Sequence, residues 1–188
     1  VQVAYYEMYG YEGLKAFNYT INYAMGRGMI VIADCKRNDI GSTAGCYATA
    51  YLGGTKINEN TLHAFPADML TVNGYLGTDG IKPFADECRA SGKGAFVLVK
   101  TSNPSSGEIQ DLELANGKKV YEHMGDLVAE WGKDLIGKYG YSDIGAVVGA
   151  TYPEQGAQLR KRLPGVFFLI PGYGAQGGSA ESIKGCFD

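Results

Sequence analysis

The sequence predicts an α/β fold of buried parallel strands joined by helices, and three observations predict it. Six short apolar, β-branched or aromatic runs recur along the 188 residues, helix-compatible segments separate most of them, and polar or glycine-rich residues collect just after the strands. Short continuous apolar runs read as strands covered on both faces. Their alternation with helical segments reads as βα units on a parallel sheet.

In chain order, strands are expected at residues 1–6, 29–33, 69–72, 95–99, 146–149 and 166–170. Helices are expected at 11–24, 43–52, 81–90, 120–136 and 154–162. The strand tips carry the chemistry: Asp34-Cys35-Lys36-Arg37-Asn38-Asp39, Asn73-Gly74-Tyr75, Lys100-Thr101-Ser102-Asn103-Pro104, Thr151-Tyr152-Pro153-Glu154, and Pro171-Gly172-Tyr173-Gly174-Ala175-Gln176-Gly177-Gly178. Polar groups at the carboxyl ends of parallel strands build active sites in closed (β/α)8 barrels and in open doubly wound sheets alike, so this pattern leaves both open.

Length and composition fit one domain over residues 1–188. A net charge of −3 and a pI near 5.4 lack the basic footprint of a nucleic-acid binder, which leaves a small-molecule partner as the expectation. Cys35, Cys46, Cys88 and Cys186 form no C-x-x-C pair, against a structural zinc or a redox dithiol and in keeping with a reducing cytoplasm. No apolar run approaches the ~18 residues of a membrane span, and no leader precedes the first strand. The chain opens on Val1 and stops at Cys186-Phe187-Asp188 with no evident terminal element, so a fragment is expected.

Three stretches are candidates for chemistry. In Asp34-Cys35-Lys36 the alternation of a strand turns Asp34 and Lys36 to one side and Cys35 to the other, which sets an ammonium beside a carboxylate. Asp39 follows three residues on and could flank the same lysine. Carboxylates keep a lysine protonated, which suits a proton donor better than a Schiff-base nucleophile, although the pattern alone also fits a strand-end salt bridge.

The loop 171–178 combines glycines, whose amides can converge, with a following helix start at Ser179-Ala180-Glu181, so Gln176, Gly177 and Gly178 could hold a phosphate; a plain turn is the other reading. Ser102 sits where a hydroxyl could meet a planar base, at the start of a polar stretch long enough to close over a ligand or merely to be solvated. His63, His123 and Trp131 show no ligand spacing, and no role is expected of them.

Taken in order, the runs 34–43, 71–77, 96–112, 148–154 and 170–178 resemble the orotidine 5'-phosphate decarboxylase family, in particular its longer bacterial form. The combination D-x-K-x-x-D-I-x-x-T, T-S-N-P-S and P-G-x-G-A-Q-G-G carries the resemblance. It implies a (β/α)8 TIM barrel with about six of eight βα units present, since a whole barrel takes ~250 residues. It implies decarboxylation of orotidine 5'-phosphate to UMP in de novo pyrimidine biosynthesis, with no metal or cofactor, by a cytoplasmic homodimer with shared active sites.

By the same resemblance Lys36 protonates C6 and Asp34 holds Lys36. Asp39, Ile40 and Thr43 are given to the partner's site, Ser102 bonds the base, and Gln176 contacts the 5'-phosphate. A further active-site lysine would fall immediately before Val1. A ribose-binding aspartate and a phosphate-binding arginine have no counterpart, so the 188 residues alone are expected to be inactive. The rival readings are a related sugar-phosphate decarboxylase or synthase barrel and a non-catalytic phosphate-binding barrel.

Overall fold

Apolar runs and helical segments alternate in space as they do in sequence. Residues 1–174 and 176–187, which the computed structural model describes, fall into two compact units, Val1–Ala95 and Phe96–Asp188.

The first unit runs α1 (Ala4–Glu7), α2 (Gly10–Met25), β1 (Ile32–Arg37), α3 (Gly41–Tyr51), β2 (Thr55–Ile57), β3 (Asn60–Leu62), β4 (Met69–Val72) and α4 (Thr78–Ser91). β1 and β4 pair in parallel. The three longer helices bury residues at helical spacing: Phe17 and Ile21 on α2, Ala44, Ala48 and Tyr51 on α3, and Ile81, Phe84, Ala85 and Cys88 on α4. Spacings of three and four keep one face on the core, and that burial is what makes helices of this length stable. α4 ends at Gly92, whose φ of 66° is the left-handed turn that closes helices.

Three sequence expectations change here. Residues 1–6 are strand only at their start: Gln2 bridges Asp34 in parallel, Asp34 N–H donates to Val1 O at 2.9 Å, and Tyr6 and Glu7 N–H then turn back to Val3 O. The Tyr6 ring meets Phe17 edge-on at 5.3 Å, while Tyr5, Met8 and Tyr9 are exposed, so the aromatic run is a helix turn with one inward ring. The strand expected at 29–33 is displaced toward the charged tip, because Met29 and Ile30 are apolar yet exposed. Finally, β2 and β3 form an antiparallel hairpin that the sequence did not suggest, with all six residues exposed. Its turn rests on Asn58 at φ 55°, a conformation asparagine tolerates.

The second unit runs β5 (Gly94–Lys100, its first two residues belonging to the first unit), a 3-10 turn (Pro104–Ser106), α5 (Gly107–Gln110), α6 (Val120–Gly132), β6 (Ser142–Val148), α7 (Pro153–Arg162), β7 (Val166–Leu169), α8 (Ala180–Ile183) and a last 3-10 turn (Lys184–Cys186). β5, β6 and β7 are neighbours in that order, and β6 and β7 are parallel. Gly145 allows their close approach: a Cβ there would lie 2.6 Å from the Phe96 ring and 2.7 Å from Phe167 O.

α6 stops at Gly132 rather than reaching 136; there the Gly132 carbonyl accepts from Leu135 N–H at 3.0 Å, a tighter closing turn, and from the Ser142 hydroxyl at 2.9 Å. α7 begins with Pro153 at its first turn and ends on Arg160, Lys161 and Arg162, charges that match the helix dipole.

Candidate active site

At the carboxyl end of β1 the sheet register slips. Ile32 and Ala33 face Met69 and Leu70, but the next pair is Arg37 with Val72, so four steps of β1 span two of β4. Lys36 takes up the slack with φ of 48°. A non-glycine residue in this region costs about 1–3 kcal/mol, and such strain persists only where neighbours hold it.

Here Thr71 of β4, 1 % exposed, is the holder. Its hydroxyl accepts from Cys35 N–H and from Lys36 N–H, each at 3.0 Å, and donates to Asp34 Oδ1 at 2.8 Å. The same Oδ1 accepts from Lys36 Nζ at 2.6 Å, and Oδ2 accepts from Gln2 Nε2 at 2.8 Å. The expected pairing of Asp34 with Lys36 is therefore present, though it comes from a bulged strand end and not from plain alternation. Lys36 keeps about half of its side chain exposed, open to a ligand.

Cys35 does point to the opposite layer, where burial pushes its thiol up to about 11, the Tyr51 hydrogen bond only partly offsetting this. Beside it Arg37 is paired with Glu7 and donates to the Tyr51 hydroxyl at 3.2 Å. These contacts anchor the strand end to α1 and α3.

Asp39 does not flank Lys36: among the described residues no ion pair joins them. Its Oδ1 instead accepts from Ile40 N–H at 2.8 Å, within the turn that leads into α3. Ile40 and Thr43 stand exposed at the start of that helix. Gly80 of α4 lets the turn settle, since a Cβ there would lie 3.1 Å from Asp39 O.

In the second unit, Ser102 is half-buried just beyond β5. Its carbonyl accepts from Thr151 Oγ1 at 2.9 Å, and Asn103 O accepts from the Tyr152 hydroxyl at 3.1 Å. Two glycines frame it: a Cβ on Gly149 would lie 2.7 Å from Ser102 Cα, and one on Gly172 would lie 3.1 Å from Ser102 Cβ and 3.0 Å from Gln176 Oε1. Gly172 thus brings Ser102 and Gln176 to one place.

The amides of Gly177 and Gly178, expected to converge on a phosphate, donate instead to Gly174 O at 2.8 Å and Gly172 O at 3.0 Å. Their part is to close the turn that presents the exposed Gln176. Ala175 of the same motif lies outside the described residues.

Beneath Ser102 lies a group that the sequence reading left unassigned. Lys100 is fully buried and donates to both Asp111 oxygens, at 2.9 and 3.0 Å, and to Ser106 Oγ at 3.3 Å. Its ammonium also sits 4.3 Å from the Tyr152 ring centre. Gln110 completes the clasp, accepting from Thr101 N–H at 2.9 Å and donating to Thr101 Oγ1 at 2.8 Å. The loop that carries Ser102 is tied at both ends. Spacing could not have revealed it, because Asp111 is eleven residues from Lys100 and reads as loop.

The family model described as "Orotidine 5'-phosphate decarboxylase / HUMPS family" matches residues 1–185. The chain belongs to this family. The orotidine 5'-phosphate decarboxylase of Caldicellulosiruptor bescii is 49% identical over 183 residues, which are 97% of this chain and 60% of that protein. The one from Rhodopirellula baltica is 46% identical over 187 residues, 100% of this chain and 61% of that protein.

A crystal structure of Plasmodium berghei orotidine 5'-monophosphate decarboxylase aligns with a TM-score of 0.83 at 26% identity, covering 100% of this chain and 55% of that one. The chain thus spans about three fifths of the length of the curated relatives it matches. The likeness agrees with the partial (β/α)8 barrel that the resemblance implied; among the described residues five strands, β1, β4, β5, β6 and β7, stand where about six were expected, residues 1–6 giving only the Gln2–Asp34 bridge. No helix among the described residues is long and apolar enough to cross a membrane.

Proposed function

We propose that this chain carries the reacting lysine and the base- and phosphate-contacting groups of an orotidine 5'-phosphate decarboxylase. The observation that carries the reading is the Asp34–Lys36 pair at 2.6 Å, locked at a strained strand end, in a chain whose curated relatives bear that enzyme's name.

In this reading the bond from C6 to the carboxylate breaks, carbon dioxide leaves, and the electron pair stays on C6. The Lys36 ammonium stabilises that charge and delivers its proton to C6, giving UMP, and solvent reprotonates the lysine. Asp34 aims the ammonium. Ser102 meets the pyrimidine and Gln176 the 5'-phosphate, whose binding energy helps hold the reactive geometry. Together they must supply on the order of 20 kcal/mol, more than one lysine offers. Gly177 and Gly178 act by shaping the turn.

Asp39, Ile40 and Thr43, exposed or half-exposed and not engaged with Lys36, are offered to the site of a second copy in a cytoplasmic homodimer. In this reading residues 1–188 belong to a single domain.

The test is to follow the absorbance of orotidine 5'-phosphate with the full-length gene product, with and without EDTA. Conversion to UMP unaffected by EDTA is expected. No conversion, or metal-dependent turnover of a sugar phosphate instead, overturns the reading in favour of another member of the family.

A further inference from the structure

Where a strand slips register, its amides lose their ladder partners and must find others. At the end of β1 the two stranded amides belong to Cys35 and Lys36, and both donate to one side-chain oxygen, Thr71 Oγ1, at 3.0 Å. A hydroxyl has two lone pairs and one proton. Both lone pairs are taken by those amides, and the proton goes to Asp34 Oδ1 at 2.8 Å, the oxygen that also receives the Lys36 ammonium at 2.6 Å.

Packing alone does not explain the hydroxyl. Thr71 lies between the buried Leu70 and Val72 on β4, a place that valine, of the same shape, would fill without leaving a polar group to be matched.

We propose that Thr71 is a positioning residue for the decarboxylation assigned above, on which this inference rests. Its one hydroxyl fixes the direction of the Asp34 carboxylate and the left-handed backbone of Lys36 together, and so the point from which the ammonium meets C6. Removing it frees two amides beside Lys36 and one oxygen of Asp34. The lysine then keeps its charge but loses its aim.

The full-length protein is tested as wild type, Thr71→Val and Thr71→Ser, measuring kcat for orotidine 5'-phosphate, affinity for UMP, and melting temperature. An ångström of misplacement at a reacting group costs about a hundredfold, so Thr71→Val is expected to lower kcat by roughly that factor while UMP affinity stays within about threefold. Thr71→Ser, which keeps the hydroxyl, is expected to retain kcat within about fivefold of wild type, its loss reflecting a freer rotamer.

A merely structural role would move kcat, affinity and melting together and would not be rescued by serine. Wild-type kcat in Thr71→Val, parallel losses of kcat and UMP affinity, or Thr71→Ser as slow as Thr71→Val would each overturn the proposal. Should Thr71→Val not fold, Thr71→Cys, with its weaker donor and acceptor, is expected to lose kcat and keep UMP affinity, and wild-type kcat there overturns it. No turnover by the wild-type protein overturns the decarboxylase reading, and the proposal with it.

Discussion

At the scale of single residues, Lys36 and Gln176 are expected to fail in different ways. Lys36 is half-exposed and, among the described residues, salt-bridged to Asp34 alone, so Lys36→Ala removes the proposed proton donor without disturbing the core. Turnover should fall below detection while UMP binding persists, and isothermal titration beside a decarboxylation assay reads both. Retained turnover would take Lys36 out of the mechanism. Gln176 stands exposed on the turn closed by Gly177 and Gly178. Gln176→Ala should weaken UMP much more than uridine, since only UMP has the phosphate; equal losses would show that Gln176 does not read it.

The cysteines separate on physical grounds as well. Burial raises the Cys35 thiol to about 11 and also raises Cys186, whereas Cys46 is exposed. Since the thiolate is the nucleophile, iodoacetamide at pH 8 should modify Cys46 well ahead of the other two, as peptide mass spectrometry would show. Equal labelling of Cys35 would mean that its layer opens readily.

At the scale of elements, the Lys100–Asp111 pair is asymmetric, and its two deletions should differ. Lys100 has no exposure while the Asp111 side chain keeps about a third, so a stranded carboxylate can reach water and a stranded ammonium cannot. Asp111→Ala should therefore cost about 3 kcal/mol or more in urea unfolding, and Lys100→Met clearly less. The reverse order would show that the buried charge is not what the loop 101–111 answers to.

α6 and α7 are linked by Asp126, which pairs with Arg162 and also with Lys118. The Arg162 hydrogen bond, opposed by burial and helped by Lys118, draws the Asp126 carboxyl down to about 2. A depressed folded-state value means the link stabilises fully above the ordinary carboxylate range and is lost as pH falls through about 2. Asp126→Asn should be less stable than wild type near pH 6, by about 1 kcal/mol after solvent screening, and the two should converge toward pH 2. A gap that stays constant with pH would deny the carboxylate any part in it.

Helix positions were the most legible elements in the sequence, because spacings such as Ile81, Phe84, Ala85 and Cys88 state their buried face directly. Strand limits were less so. Apolarity marked Met29 and Ile30, which are exposed, and missed Asp34 to Arg37, whose strand geometry depends on a hydroxyl from β4. The Asp34–Lys36 pairing was legible from proximity in the chain, while the separation of Asp39 from Lys36 was not, since it turns on a local bond to Ile40 N–H. Thr71 and Lys100 were hidden for a related reason. Their partners lie 37 and 11 residues away, and nothing in a single sequence joins such pairs.

At the scale of the whole molecule, the exposed face at Asp39, Ile40 and Thr43 bears on assembly. If these residues serve a second copy, mixing inactive Asp39→Ala protomers with inactive Lys36→Ala protomers should restore part of the activity, because one site of each mixed dimer keeps both wild-type residues. No recovery, once mass spectrometry has shown that subunits exchange, would place Asp39 in its own chain's site.

The small hairpin of β2 and β3 makes that experiment cleaner. None of its side chains is buried, and its Asn58-Glu59 turn carries no load from the core. Loop tips of this kind accept inserted peptides. An affinity tag placed between Asn58 and Glu59 in one protomer type would let mixed dimers be drawn out of the population and assayed by themselves, with both chain ends left as they are.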